Sequence, residues 1–179
     1  MRCAIGVVLL VALAGSARAT TLVSADLGEL SRDARAIVVG RVAALDVRWT
    51  DQRHAIDTIV TLDVDTYLKG DFGPVLQFRV PGGQIGRLRS VTLGAPEFAV
   101  DQRVVVFLGA HGPSVPYVLG LGQGVFRVTR DAAGWLVTPP AIEPIASGRA
   151  PIVRGDPARK GVALSVFEQR VRSLAGGAR

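Results

Sequence analysis

The chain has 179 residues, 21 basic and 15 acidic side chains, 49% hydrophobic residues and one cysteine, Cys3. That length suits one domain that can bury a core without staples, and one cysteine excludes a CxxC redox pair, a cysteine zinc site and a disulfide scaffold. The formal charge of +6 contains no run of five like charges, which excludes a polybasic arm for nucleic acid.

The N-terminus reads as an export signal. Arg2 gives a positive start, Ile5 to Ala14 an apolar stretch, and Ala17-Arg18-Ala19 a small-x-small cleavage site. The apolar stretch is shorter than the roughly 20 residues that span a bilayer. Cleavage leaves Thr20 as the mature start, no thiol nucleophile, and 19 basic residues against 15 acidic ones. The expected location is periplasmic or extracellular, with no integral membrane span after signal removal.

Ser24-Ala-Asp-Leu then opens a short helix, capped by Ser24, with Leu27, Leu30 and Ala34 as its apolar stripe. Its expected place is across one end of a barrel. Ala36 to Gly70 comes next, two long runs rich in β-branched residues joined by Asp51-Gln-Arg-His54. In the second run Ile56, Thr58, Val60, Leu62, Val64 and Leu68 share one parity. Asp57, Thr61, Asp63, Asp65, Tyr67 and Lys69 share the other. Side chains alternate across a strand, so this is a β-strand with one apolar and one polar face. In the first run Ile37, Val38 and Val39 are apolar on both parities, which predicts a strand covered on both sides. Gly40 within it predicts a bulge or a bend.

Val75 to Val80 is the third strand, with Leu76, Phe78 and Val80 on one face and Pro81 ending it. Pro81 to Phe98 is glycine-rich and irregular, with Val91 to Leu93 as its one short strand. Long connections of this kind often carry function. Gln102 to Leu108 is a continuous apolar run, hence a buried central strand. Tyr117 to Leu119 is short. Val125 to Thr129 and Trp135 to Val137 flank the turn Asp131-Ala-Ala-Gly134. Five of the ten prolines fall between Thr138 and Lys160, which predicts an extended segment. Ser165-Val-Phe-Glu168 reads as the capping box of a final helix, with Val166, Phe167, Val171 and Leu174 apolar and Gly176-Gly177 as its stop.

The expected fold class is mainly β: a five- to seven-stranded Greek-key OB-like barrel with a short N-terminal helix and a C-terminal helix. The expected divisions are a signal at 1–19, the barrel at 20–137, a proline-rich segment at 138–163 and a helix at 164–175.

Few residues point to chemistry. His54 and His111 read as exposed turn residues; the alternative is a zinc site completed by carboxylates. Asp57, Asp63 and Asp65 share a strand face. They read as a solvated face paired with arginines such as Arg41, Arg48 or Arg79; the alternatives are paired catalytic carboxylates or a calcium site. Gly82 to Gly86 (GGQIG) lacks the Lys-Ser/Thr of a phosphate loop. Ser90 and Ser114 lack a nucleophile-elbow pattern. Phe78 and Phe126 fall on the core parity, which argues against a base-stacking surface and so against nucleic acid. No catalytic, metal or cofactor set is assigned.

The residues Ile37 to Val42 (IVVGRV), Tyr67 to Asp71 (YLKGD) and Phe107 to Gly109 (FLG) resemble the barrel strands of the netrin-like, tissue-inhibitor-of-metalloproteinases-like OB barrels. They are also similar to a group of exported bacterial proteins sharing VVGRV, YLKGD and PGG. The resemblance spans roughly residues 24 to 137. It implies an OB barrel and a protein partner, with an exported protease favoured over other exported proteins. Inhibitors of that family chelate the target's zinc through an N-terminal cysteine; here the mature start is Thr20-Thr21, and the family's disulfides are missing. The expected function is a non-enzymatic exported barrel that binds a protein partner in the manner of a metalloprotease inhibitor. The alternatives are an arginine-mediated ligand or polyanion module and, third, a hydrolase. The partner-binding candidates are Thr20, Thr21, Gly82, Gly83, Gln84, Ile85, Arg87 and Arg89. The hairpin reading is tested by Val60→Asp: a charge in the core is expected to abolish the near-UV circular dichroism of the folded chain, and a folded variant would refute it.

Overall fold

The computed structural model describes residues 26–50, 54–112, 114–132, 134–140 and 161–176. The signal, Thr20, Thr21, Ser24 and most of the proline-rich segment lie outside the described residues.

Helix α1 (Leu27–Asp33) is capped by Asp26, whose carboxylate accepts from the Gly28 and Glu29 amides, while Glu29 accepts from the Asp26 amide. The capping box is thus Asp26-x-x-Glu29, two residues after the expected cap at Ser24. At the other end Lys69 Nζ donates to the Ser31 and Arg32 carbonyls at 2.9 and 2.8 Å. A cation there meets the negative end of the helix dipole.

Strands β1 (Ala36–Trp49) and β2 (Ile56–Lys69) form the long antiparallel hairpin, paired from Trp49 with Ile56 to Ile37 with Lys69, with register shifts between Val42 and Ala44, Val39 and Gly40, and Ile37 and Val38. β3 (Val75–Pro81) pairs with β2 to complete a meander, and Pro81 is its last paired residue, opposite Asp57. The chain then leaves the barrel. β4 (Gly83–Ile85) and β5 (Leu88–Ser90) make a small separate hairpin. β6 (Arg103–Gly109) returns antiparallel to β1, and β7 (Tyr117–Val118) pairs with the end of β6 and runs parallel to β3. The order β1-β2-β3-β7-β6-β1 is a closed five-stranded barrel of OB-like topology.

The seam between β3 and β7 is narrow. Arg79 and Tyr117 are its one strand pair, supported by the Arg79 amide on the Pro116 carbonyl at 2.8 Å. The connection from β5 to β6 packs against the barrel interior beside it. Phe98 sets its ring edge-on to Phe78 at 5.5 Å, and the Gly94 carbonyl accepts from the Gly122 amide. Beyond β7 a 3₁₀ turn (Leu121–Gly124) leads to β8 (Val125–Asp131), β9 (Gly134–Thr138) and β10 (Val162–Ala163), which extend the sheet from β6. Helix α2 (Leu164–Gly176) begins directly after β10.

Two cores result. Val38, Val42, Val60, Leu62, Phe78, Val104 and Val106 fill the barrel. On the outside of the same wall Ile37, Val39, Val105, Phe107, Phe126 and Val128 pack against Leu30 of α1 and Phe167 and Val171 of α2. The mixed parity of β1 and the unbroken apolar run of β6 therefore have one cause, burial on both faces. α1 lies on this outer wall beside α2 rather than across a barrel end.

Three expected details differ. β2 keeps its parity only to Val64. Val39 faces Thr66 and Gly40 faces Val64, so Asp65 is an extra residue, and this bulge reverses the parity as far as Leu68, where a second shift between Val38 and Ile37 follows. Tyr67 turns to the barrel core and Leu68 to the outer one. Val91 to Leu93 forms no strand. The final helix starts at Leu164, so Ser165 lies within its first turn; its buried stripe is Phe167 and Val171, while Val166 is exposed.

Gly40 has a specific role here. A Cβ at this position would collide with the Asp63 carbonyl and the Leu62 side chain. Gly40→Ala is therefore expected to cost about 1–3 kcal/mol by overpacking, read in urea unfolding. Phe167→Ala removes the ring that lies tilted against Phe126 with centroids 5.0 Å apart. It is expected to cost about 3–5 kcal/mol by the same measurement.

Candidate functional site

The expected partner-binding residues from Gly82 to Arg89 come together on the β4–β5 hairpin. Its seat is the half of the long hairpin that extends past β6. The Gly82 amide donates to the Ile56 carbonyl, and Thr58 Oγ1 donates to the Gly82 carbonyl, both at 2.8 Å. Gly83 has φ +144, and a side chain there would strike Val47 and Thr58. Glycine is thus what lets β4 lie directly on the barrel. Gln84 Nε2 closes the turn by donating to the Gly86 carbonyl at 3.0 Å. Arg87 stands in solvent, and Arg89 makes a long, exposed ion pair with Glu97 at 3.9 Å. Such a pair contributes little to stability.

Between this hairpin, the connection to β6 and the barrel mouth lies a cleft of about 480 Å³. Leu45, Val47 and Val80 form its apolar floor, Thr58 and Ser90 add hydroxyls, and Arg89 and Glu97 stand at its edge. Beside it Leu88, Val91 and Leu93 are 59%, 74% and 89% exposed. These three were absent from the expected site. The sequence offered only a short strand at Val91 to Leu93, which does not form, and strand character does not reveal that an apolar side chain stays uncovered.

The acidic face resolves into ion pairs. Arg41 bridges Asp63 at 3.2 Å and Asp101 at 2.8 Å. Arg103 meets Asp65 at 3.3 Å and lies 4.5 Å from the centre of the Trp135 ring, with Arg130 at 5.5 Å from the same ring. Arg41 was an expected partner; Arg103 was not, since the β1–β6 pairing that delivers it is long-range. No group of three or more potential metal ligands exists among the described residues. The engagement of Arg41 and Arg103 also leaves less positive charge for a polyanion.

His54 and His111 are both exposed, one in the β1–β2 turn and the other in the β6–β7 connection, where it stacks on Tyr117 at 4.9 Å. Ser114 Oγ donates to the His111 carbonyl rather than to an imidazole. GGQIG leads into a hairpin, not a helix. Phe78 is in the barrel core and Phe126 in the outer one, as the parity implies. A second cavity of about 640 Å³ lies at the other end of the long hairpin, where Arg32, Arg35, Lys69, Asp33 and Asp71 mix both signs of charge. No helix among the described residues is long and apolar enough to cross a membrane. Comparison with protein families, with curated proteins and with solved structures finds no match to this chain.

One titration is displaced. Burial raises the Tyr67 phenol above its ordinary value, the Phe72 backbone hydrogen bond opposes this, and the Asp71 carboxylate adds to the rise. The neutral phenol donates to the Gly73 carbonyl at 2.9 Å. A raised folded-state value means that the contribution is complete below about pH 10 and is lost as the pH climbs through the folded value. Tyr67→Phe is expected to lower stability by about 1 kcal/mol at pH 7. It should also flatten the alkaline decline in a series of urea titrations between pH 7 and 11.

Proposed function

We propose that the chain is an exported, non-enzymatic β-barrel that binds a protein partner through the β4–β5 hairpin and the adjoining cleft. One observation carries this reading. Leu88, Val91 and Leu93 project into solvent from a segment that the barrel holds in place. Grouped exposed apolar side chains mark interaction surfaces, and the neighbouring Arg87 and Arg89 are of the residue type enriched in interfaces.

Export is supported by Arg2, the apolar stretch Ile5 to Ala14 and the Ala17-Arg18-Ala19 site. The resemblance to netrin-like inhibitors is supported by where its residues fall: VVGRV is the doubly buried part of β1, and YLKGD ends β2 and enters the next turn. Along that line the favoured partner is an exported protease, with the Thr20 amine as a zinc-directed group. Fold alone does not carry this activity.

The test uses mature protein starting at Thr20, immobilised and exposed to the exported fraction of its source cells. A protein is expected to be retained, and a Leu88→Ser/Leu93→Ser double variant, folded by circular dichroism, should lose it. Equal retention by the variant removes the surface reading. In parallel, metalloprotease turnover should fall with the mature protein and recover when one residue precedes Thr20. No inhibition across a protease panel removes the inhibitor reading alone.

A further inference from the structure

We propose that the chain pairs with a second copy of itself along the free edge of β1, with Val47 on the two-fold axis. This goes beyond the partner-binding reading above, since it uses a different part of the fold and stands or falls separately.

β2 pairs with β1 as far as Trp49, but β6 leaves the other edge of β1 after Arg41. The ladder closes at Val42, whose amide donates to the Gln102 carbonyl and whose carbonyl accepts from the Asp101 amide. From Leu45 to Trp49 no strand of the described residues lies on that edge, and the register with β2 is unbroken. Which groups point outward follows from two bonds near the turn. The Thr50 amide donates to the Ala55 carbonyl, and the Ile56 carbonyl, opposite Trp49, is turned away to the Gly82 amide. Bonded and non-bonded positions alternate in an antiparallel pair. Asp46 and Arg48 therefore bond to β2, while Leu45, Val47 and Trp49 turn their amides and carbonyls outward. None of these outward groups has a backbone partner among the described residues. A row of unpaired strand groups is a template for another strand.

The side chains select a second copy, because this edge complements itself. Antiparallel pairing about Val47 sets Asp46 opposite the partner's Arg48, Arg48 opposite the partner's Asp46, and Leu45 and Trp49 opposite each other. Outward positions then meet outward positions, so every amide on the two edges finds a carbonyl. Opposite charges and aromatic–aliphatic pairs across strands both stabilise. Asp46 and Arg48 are exposed, and neither forms an ion pair among the described residues. Asp57 lies across β2 from Arg48 and makes no ion pair with it. Moving the axis by one residue sets Asp46 or Arg48 against its own copy, so the charges also fix the register. Free edges are commonly guarded by charges that repel an incoming strand; here opposite signs stand two residues apart and repel neither copy.

The test is sedimentation velocity on the mature chain starting at Thr20, at concentrations up to about 1 mM. A reversible dimer is expected. Asp46→Arg and Arg48→Asp, each folded by circular dichroism, set like charges across the axis and should weaken it at least tenfold. An equimolar mixture of the two should associate again. The double exchange Asp46→Arg/Arg48→Asp should restore the dimer, since it swaps the signs within each facing pair. Val47→Pro, which deletes the central outward amide, should also weaken it at least tenfold; if that variant unfolds, the exchanges on the exposed face carry the test. A monomer at every concentration overturns the proposal. So does a dimer that both single exchanges leave intact, or one that the double exchange fails to restore. Leu88→Ser/Leu93→Ser should leave the dimer unchanged, and its loss in that variant would move the contact to the β4–β5 hairpin and overturn pairing through β1.

Discussion

The pairing of β1 with β6 is the constraint on which the rest of this structure depends. Ala36 through Arg41 align with Leu108 through Arg103, and apolar side chains leave that wall in both directions. Inward they fill the barrel; outward they need a cover, which α1 and α2 supply through Leu30, Phe167 and Val171. A barrel of five strands could bury its interior alone. This one cannot leave its outer wall bare, because Ile37, Val39, Val105 and Phe107 are as apolar as the inner set. The helices are therefore half of a second core, and the terminal elements of the fold are tied energetically to its first and fourth barrel strands.

The same wall sets where polar groups stand. Where β1 and β6 run past the helices, the outer face turns to charge. Arg41 and Arg103 are neighbours in the pairing and would repel, and each is matched to a carboxylate, Asp63 and Asp101 for one and Asp65 for the other. Asp65 keeps the outer face that its parity shares with Asp63, and the bulge there sends Tyr67 inward.

Past β6 the long hairpin continues with only β3 beside it, along β2 from Asp57 to Asp63, and β1 has no further strand on its other edge there. β4 and β5 lie against it on one side, and Phe98 closes the interior near the narrow β3–β7 seam. The small hairpin has two faces with different fates. Gly83 brings one against Val47 and Thr58; the other keeps Gln84 and Arg89 in water, while Leu88 at the turn and Val91 and Leu93 beyond β5 are also exposed. An apolar surface held this way costs solvation free energy that folding does not recover, and this gives the partner-binding proposal its physical motive.

The strand pattern, the long hairpin, the doubly covered strands and the closing helix were determined by the sequence itself. Periodicity is a local property, and burial on one face or two is written into it at Val60, Leu62 and Val104 to Leu108. The charged partners of Asp65, the reversal at Tyr67 and Leu68, and the exposure of Leu88, Val91 and Leu93 were decided only by tertiary structure. Each depends on which distant strand arrives alongside, or fails to arrive. A one-residue bulge swaps the faces of the residues that follow it, up to the next shift, without changing composition. Apolar residues such as Leu88, Val91 and Leu93 read the same whether they are covered or open to water, because coverage belongs to the neighbour and not to the segment.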